Sequence, residues 1–359
     1  MNHRRKFYKT KRFKISLGVI IFLICFRIAL PYIVKSYVNK TLANIPNYYG
    51  HVENIDLSLL RGAYTINNLF LNKVNAQTQV PFLNLEKTDI SVQWKSLFKG
   101  EIVSEIIMEK PSFIYVFEDH KKATTSETET EDWSKALTNL VPIDINHLKI
   151  TNGKLAFVQV NANPNIDLNM TSVNLEATNL RNVNDKEIKL PSTLNATAIS
   201  IGSGKFKMNG KMNIVKEIPD MDISFSLEDA NIKSLNDLTK HYTAIDFSEG
   251  TYGVYSEMAI NNGYFKGYIK PILKNTNLIS KEDSLIEGIW EGFVGFFKFI
   301  LKNQKQDTLA TKVPLEGDLN NVQTKIWPSL SNIFKNAWIK AFKDTTDDTI
   351  NFSDANPDK

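Results

Sequence analysis

Most of the chain between residues 48 and 272 alternates apolar with polar positions, as β-strands with one buried face do. Two runs are especially regular: Met221, Ile223, Phe225 and Leu227, then Tyr252, Val254, Met258 and Ile260. Between residues 166 and 175 the alternation slips by one residue after Met170, which predicts a β-bulge. The pattern predicts a mainly β protein built on a long, curved antiparallel sheet.

A short phrase with a central glycine recurs between these segments. An apolar residue is followed by two variable residues, glycine, one variable residue and an apolar or aromatic one, around Gly62, Gly100, Gly153, Gly204, Gly250 and Gly263. We expect a strand, a turn and a second strand at each. Asn152-Gly153, within residues 145–160, carries the strongest hairpin signal, because both residues tolerate the positive φ of a type I′ turn. The spacing is irregular, which argues against a solenoid repeat.

The N-terminus has the pattern of a membrane anchor. Residues 1–14 carry seven Lys or Arg and no acid, and residues 15–34 form a mostly apolar run interrupted by Arg27. About 20 residues can span a bilayer, and the basic flank predicts a cytoplasmic N-terminus with the body across the membrane. A cleaved signal peptide is the alternative, but no A-x-A-like site follows the run. We favour an uncleaved anchor, with Arg27 near one end and its side chain snorkelling to the interface.

Helical periodicity and polar segments divide the body, residues 35–342. Residues 118–131 are rich in Thr, Glu and Lys, which predicts a mobile loop. Residues 231–241 suggest a short helical excursion, and amphipathic helices are predicted at 283–301 and 328–342. The polar tail, 343–359, is predicted to be disordered.

Charge and cysteine content argue against nucleic-acid binding and against a thiolate metal site in the body of the chain. The formal net charge is +4, but without the +7 of residues 1–14 the rest of the chain carries −3, so it lacks the net basic charge of a nucleic-acid binder. Cys25 is the single cysteine and lies in the apolar run, so the body has no disulfide and no thiolate metal site.

The sequence lacks the common motifs of catalysis and cofactor binding. None of the five histidines stands at metal spacing with another ligand type, and the chain has no G-x-S-x-G, Walker or H-E-x-x-H motif. Gly202-Ser203-Gly204 lies between predicted strands and not before a helix, which makes it a poor phosphate cradle. We therefore expect no enzyme activity, no cofactor and no metal site.

Aromatic residues at strand positions suggest an apolar binding face. In residues 113–117 the aromatic side chains face one side while Ile114 and Val116 face the other, a pattern of burial by protein on both faces or of one face against a ligand. A curved sheet needs apolar cover on its concave face. The candidates for that face are Phe113, Tyr115, Phe117, Phe157, Phe206, Met221, Phe225, Tyr252 and Phe265. The alternative is that these side chains fill a closed β-sandwich core.

The predicted helix 283–301 is unusually rich in aromatic residues: Trp290, Phe293, Phe296, Phe297 and Phe299. Phe296 and Phe299 point away from the stripe of the other three, so the apolar surface extends far around the helix. We expect this helix to line or gate a mouth of the β body, or to meet the membrane interface. The alternative is a helix buried on all sides by protein.

Four segments resemble the AsmA-like envelope proteins of diderm bacteria, in particular a short branch known as a domain of unknown function. They are residues 50–64, 80–103, 142–157 and 313–342, and the resemblance extends over nearly the whole chain after the anchor. One departure is that Val158-Gln159 follow Phe157, where relatives often carry an Asp.

The resemblance implies an inner-membrane anchor, a periplasmic β-groove with an apolar lining, and a part in moving phospholipid or maintaining the outer membrane. It also leaves a second hypothesis open, a structural or assembly factor that binds other envelope proteins. Trp338 and Phe342 on the last helix would then form a docking face. The simpler alternative is that this helix covers the edge of the sheet.

Overall fold

The structure of the chain is a computed structural model that describes residues 11–45, 47–58, 61–92, 103–120, 144–180, 188–213, 220–243, 245–278, 308–310, 312–318 and 349–355. This part is mainly β-structure, with 14 strands in one sheet and few helices. The mainly β fold and the N-terminal apolar helix predicted from the sequence are confirmed. The predicted helices 283–301 and 328–342 lie outside the described residues.

The strands follow the alternating segments of the sequence. They are β1 Tyr48–Ser58, β2 Ala63–Lys73, β3 Leu83–Val92, β4 Val103–Glu109, β5 Ser112–Val116, β6 Asp144–Gln159, β7 Ile166–Thr178, β8 Ser192–Ser200, β9 Lys205–Asn213, β10 Asp220–Asn231, β11 Phe247–Asn261, β12 Tyr264–Leu278, β13 Thr308–Ala310 and β14 Val313–Asp318. The α-helices are α1 Lys11–Ala43, α2 Phe117–His120 and α3 Asn236–Thr243, the last in the predicted excursion. Short 3₁₀ helices are Ile201–Ser203, Ile232–Leu235 and Phe352–Asp354.

The strands form rows in nearly sequential order, β1-β2-β3-β4-β6-β7-β8-β9-β10-β11-β12-β13. We call each strand position across the sheet a row. β4 and β5 follow one another in the row between β3 and β6, and β13 and β14 both pair with β12. Neighbours are antiparallel except that β4 and β5 run parallel to β6. A parallel pair needs a long return connection, and the chain makes one between β5 and β6.

The glycine phrase predicts some turns correctly and others wrongly. Arg61-Gly62 joins β1 to β2, Gly204 precedes β9, and Asn262-Gly263 joins β11 to β12 with φ of 51° and 83°. The hairpin predicted at Asn152-Gly153 is wrong, because β6 runs straight through it, and the turn predicted at Gly250 is wrong, because this glycine lies inside β11. Gly100 lies outside the described residues.

Asn152 makes a bulge where a turn was expected. Its φ is 55°, but Gly153 has no positive φ, and a type I′ turn needs both. The backbone on either side is bound to the neighbouring row, since the Lys154 N–H donates to the Pro111 carbonyl and the Lys110 N–H donates to the Thr151 carbonyl, each at 2.8 Å. The local signal for reversal is therefore overridden by pairing in the sheet.

Left-handed residues recur inside the strands, at Asn68, Asn152, Ser172, Asp229 and Asn275. The register between paired strands shifts at Ser172 and at Asp229, among other positions. The bulge predicted after Met170 is thus confirmed. Each extra residue shifts the alternation by one, so apolar side chains before and after the bulge remain on the same face.

Over β9 and β10 one face of the sheet is apolar and the other polar, whereas Val116 of β5 and Tyr268 and Ile272 of β12 are buried on the side opposite the apolar one. In β10, Ile223, Phe225 and Leu227 lie on the apolar face, level with Gly210, Met208 and Phe206 of β9, whereas the intervening Ser224 and Ser226 are level with Asn209 and Lys207. We call the two sides the apolar face and the polar face. The strand ends near the β1–β2 turn are called the Gly62 end, and the opposite ends, near the β6–β7 connection, are called the Asn163 end.

Helix α1 covers the open edge of the sheet at β1. It begins within the predicted basic flank, runs to Ala43, and packs Val34, Val38 and Leu42 against the apolar cluster of β1–β3. The Asn39 amide donates to the Val52 carbonyl at 3.2 Å and accepts from the Val52 N–H at 2.6 Å, so it takes the place of a neighbouring strand. Residues Lys14–Ala43 are long and apolar enough to cross a membrane, by length and composition.

Residues 349–355, from the predicted disordered tail, bind to β10 and β11, far from α1 in the order of strands. The N–H groups of Thr349 and Ile350 donate to the buried Glu257 carboxylate at 2.9 and 3.0 Å, and the Phe352 N–H donates to Asp222 at 3.0 Å. Burial, and secondarily the nearby Glu257 carboxylate, raises the pKa of Asp222. The described part of the tail, residues 349–355, therefore has a defined place on the polar face.

We predict that Asn39→Ala destabilises the protein by about 1–3 kcal/mol, because two backbone groups of Val52 lose their partner at a partly buried edge. Asn44→Ala is the control, since Asn44 is exposed, directly follows α1, and its amide donates to the Lys40 carbonyl in the last turn of that helix. Denaturant unfolding of the full chain in detergent measures both. Equal, small effects would contradict the edge-covering role of Asn39.

Candidate functional site

Other parts of the chain cover the apolar face mainly near the two sides of the sheet, at β1–β3 and at β10–β12. At β1–β3, α1 closes a cluster that contains Val52, Ile55, Leu71 and Ile90. At β10–β12, Ile232 and Ile245 join a second cluster with Leu227, Phe247 and Tyr252. In the middle rows, β6 to β10, most of the larger apolar side chains are of intermediate exposure and Leu155 is 45% exposed, while the smaller Val173, Ala177 and Ala196 are buried. The middle of the face is therefore apolar but only half covered.

Eight of the nine candidates for the apolar lining lie on the apolar face. The pairing places Phe113 level with Leu155, Tyr115 with Phe157, Phe206 with Leu227, Met221 with Ile260 and Met212, Phe225 with Met208, Tyr252 with Leu273, and Phe265 with Ile260. Phe117 is the exception, because it is the first residue of α2 and does not continue strand β5 as predicted. Its ring still lies 6.5 Å from that of Phe157.

Aromatic rings connect the covered part of the face to the half-covered middle. The ring centroids of Tyr48 and Phe82 are 5.1 Å apart, and those of Phe82 and Phe113 are 4.5 Å apart. In the next strand pair, Tyr115 stacks on Phe157 at 5.8 Å with an interplanar angle of 10°. Such contacts stabilise beyond simple burial, so they hold the rings in fixed positions along the face.

The tyrosines of this face are uncharged at physiological pH. Burial raises the pKa of Tyr64, Tyr115 and Tyr252 above the ordinary phenol value, and it raises the pKa of Tyr48 to about 12. The opposite face of β9 presents the exposed Lys205, Lys207 and Lys211. The two faces thus differ sharply in polarity, and the apolar one suits hydrocarbon.

The Asn163 end of the middle rows is closed by the chain between β10 and β11. The 3₁₀ helix Ile201–Ser203, before β9, packs tightly against the start of the 3₁₀ helix Ile232–Leu235, after β10. A Cβ on Gly202 would lie 2.5 Å from the Asn231 carbonyl oxygen. The Tyr242 hydroxyl of α3 then donates to Gln159 at the end of β6, at 2.6 Å. This excursion crosses the ends of β8 and β9 and joins rows that are not neighbours in the sheet.

Sequence reasoning missed several aliphatic and methionine residues of the same face, because aromatic residues were favoured as candidates. They are Leu155, Leu168, Met170, Leu175, Leu194, Met208 and Ile223. The alternation itself contained the signal for Met208, two residues after Phe206, and for Ile223, two before Phe225. The same alternation contained the signal for Leu155, two residues before Phe157, because the bulge at Asn152 precedes both residues.

Among the described residues, the polar face contains a compact ionisable group centred on His147. Its Nδ1 lies 2.7 Å from a Glu105 carboxylate oxygen and its Nε2 lies 3.3 Å from one of Glu176. These residues are on adjacent rows, so they form cross-strand ion pairs when the histidine is protonated. Within the residues that the structure describes, no group of three or more His, Cys, Asp or Glu is placed to hold a metal ion.

The remaining candidates, Trp290, Phe293, Phe296, Phe297 and Phe299 of the mouth helix, lie outside the described residues. The chain matches no protein-family model and no curated protein.

We predict that the middle and the covered part of the face respond differently to truncation. Phe82→Ala is expected to cost about 3–5 kcal/mol of unfolding free energy, the range of fully buried aromatic residues. Phe225→Ala should cost less than half as much, because its side chain is partly exposed. Denaturant titration measures both. Equal costs would indicate a closed core, the alternative that the sequence left open.

Proposed function

We propose that this chain is a membrane-anchored, non-enzymatic lipid-handling protein that holds phospholipid acyl chains on the middle of its apolar face. The observation that carries the proposal is a half-covered apolar face, spread over several strands, on the same chain as a helix that can cross a membrane. Large exposed apolar patches in soluble parts of proteins mark binding sites for apolar partners. An acyl chain is the partner that needs no hydrogen bonds from the protein.

The dimensions of the middle rows suit an acyl chain. From β6 to β10 the rows extend over about 20 Å at about 4.8 Å per strand. One leaflet of a bilayer contributes about 15 Å to a hydrocarbon core of about 30 Å, which sets the length of an acyl chain. Each buried methylene contributes about 0.8 kcal/mol, so even partial contact along the face is favourable.

The electrostatics of the face support a hydrocarbon ligand. Its tyrosines remain protonated, and the side chains that alternate with its apolar residues point to the polar face. A headgroup would remain in water at the rim, where Lys and Asp residues begin. This arrangement binds the apolar part of the lipid without burying charge.

We propose the envelope of a diderm bacterium as the location, because the sequence resembles AsmA-like proteins. In this proposal the N-terminus is cytoplasmic, α1 crosses the inner membrane, and the sheet lies in the periplasm as a groove supporting the outer membrane. The second hypothesis, an assembly factor docking through Trp338 and Phe342, depends on residues outside the described part. No contact of the described residues favours it.

We predict that Phe225→Glu removes most co-purifying lipid, because a carboxylate on the apolar face cannot be hydrated beside an acyl chain. Ser226→Glu is the matched control, one residue away on the polar face. Mass spectrometry of lipid extracted from the full-length protein measures both, with circular dichroism to verify folding. Equal lipid content in wild type and both variants would refute the proposal.

A reporter fused after residue 359 is expected to be active only outside the cytoplasm, because the seven basic residues of the N-terminal flank are retained on the cytoplasmic side. Paired fusions of alkaline phosphatase and green fluorescent protein test this. The same pair fused directly after residue 14 is the cytoplasmic control, because that fusion lacks the apolar run that starts at Ile15. Fluorescence without phosphatase activity in the full-length fusion would reverse the proposed topology.

A further inference from the structure

The excursion between β10 and β11 crosses the Asn163 end of the apolar face and is held differently on its two sides. We call residues 232–243 the lid. On the β10–β11 side, Ile232 lies in the apolar cluster with Leu227 and Phe247, and Leu235 packs against that cluster. On the far side, the lid reaches the end of β6 and the β6–β7 connection through polar contacts.

The β10–β11 side of the lid is fixed by buried hydrogen bonds. The Asn236 side chain donates to the Phe247 carbonyl and accepts from the Phe247 N–H, both at 2.9 Å. The hydroxyl of the fully buried Thr239 donates to the Ile245 carbonyl, also at 2.9 Å. Such bonds are costly to break, because the freed groups would be left without water. This side is therefore suited to be the hinge of the lid.

The far side of the lid is held by contacts that water can replace. The Tyr242 hydroxyl donates to the Gln159 side-chain oxygen at 2.6 Å, and His241 Nδ1 lies 3.3 Å from the Asn163 backbone nitrogen. The side chains of His241 and Tyr242 are only partly buried. One neutral hydrogen bond shifts an equilibrium of this kind by about two- to tenfold. The far side can therefore open while the hinge remains in place.

The part of the sheet that receives the lid is itself held in position. The buried Glu118 of α2 accepts from the N–H groups of Val160 and Asn161, at 3.1 and 2.8 Å, directly after β6. Ile166, the first residue of β7, is level with Gln159 and fully buried where the lid contacts β7. Opening at this end is therefore a movement of the lid, and it uncovers the Asn163 end of the apolar face.

The Asn163 end is also the end farther from the apolar first half of α1. This helix runs antiparallel to β1, with Arg27 bonded to the Leu57 carbonyl at 2.6 Å and Asn39 bonded to Val52. The first half of α1 therefore lies beyond the Gly62 end of the sheet. A lipid that leaves at the Asn163 end leaves on the side away from the proposed anchor.

We propose that the lid controls the release of phospholipid from the apolar face at the Asn163 end. The latch is the hydrogen bond between Tyr242 and Gln159, and the lid turns about its buried side when that bond breaks. The proposal rests on the proposed function, because the lid acts on lipid held by the same face. Release is slow while the latch is closed and fast when it is open.

Lipid transfer by the full-length protein tests the latch. The protein is reconstituted in phosphatidylethanolamine–phosphatidylglycerol vesicles that contain a fluorescent phospholipid and a quenching lipid, and unlabelled acceptor vesicles are then added. Tyr242→Phe keeps the ring and removes the hydroxyl, so we expect transfer to be about threefold faster than with wild type. Tyr264→Phe is the matched control, because it removes a hydroxyl contact with Glu316 at the Gly62 end and should leave the rate unchanged.

A covalent latch should have the opposite effect. Gln159→Cys and Tyr242→Cys, in a Cys25→Ser background, are joined by a short bis-methanethiosulfonate linker that a reductant removes. We expect the cross-linked protein to transfer lipid several-fold more slowly than the same protein after reduction. Gln159→Cys alone, treated with the same reagent, controls for the chemical modification.

Hydrogen exchange measured by mass spectrometry provides a readout that needs no lipid. Tyr242→Phe should speed amide exchange in residues 236–243 and leave exchange in β10 unchanged. Unchanged exchange in residues 236–243 would overturn the latch.

The outcomes separate the lid from the proposed function. A transfer rate that neither Tyr242→Phe nor the cross-link changes would overturn the control of release by the lid and leave the proposed function in place. If wild type and Tyr242→Phe carry no lipid and transfer none, the proposed function fails and the release role fails with it, whatever hydrogen exchange shows of the latch.

Discussion

The apolar side chains of twelve rows must remain on the same face of one sheet, and this constraint governs the rest of the structure. Side chains alternate with a period of two, so a slip of one residue in any row would turn its apolar residues toward water. The chain contains such slips, but left-handed residues such as Ser172 and Asp229 accompany them inside the strands, where the register shifts. Each of these two places one extra residue in its row and restores the phase for the next stretch.

A sheet with one apolar face and no second sheet among the described strands needs other cover. Helix α1 supplies it at β1–β3, and the excursion between β10 and β11 supplies it at the other side. Each helix also satisfies backbone or side-chain polar groups, Asn39 at the β1 edge and Tyr242 at Gln159. The half-covered middle between them is where the proposed acyl chain would lie, because its burial there replaces contact with water.

The same helix that covers the first edge is the one that is long and apolar enough to cross a membrane. Since α1 is continuous from Lys11 to Ala43, the orientation of its apolar first half determines the orientation of the β1–β2 hairpin. A flexible linker after the anchor would leave the sheet free to tumble. The direct packing of Val38 and Leu42 on the sheet instead fixes the helix relative to the first strands.

Local sequence alone determined the strands, the anchor helix, the Asn262-Gly263 hairpin and the bulge after Met170, because each follows from periodicity or from the conformational freedom of a few residues. It also placed eight aromatic and methionine candidates on what proved to be one face, since alternation fixes the face within a strand. The tertiary structure decided where the same signals fail. Asn152-Gly153 continues a strand because Pro111 and Lys110 in the next row bind the backbone on both sides of it. The parallel pairing of β4 and β5 with β6, and the position of α1 beside β1, depend on contacts between residues far apart in sequence, which no local pattern encodes.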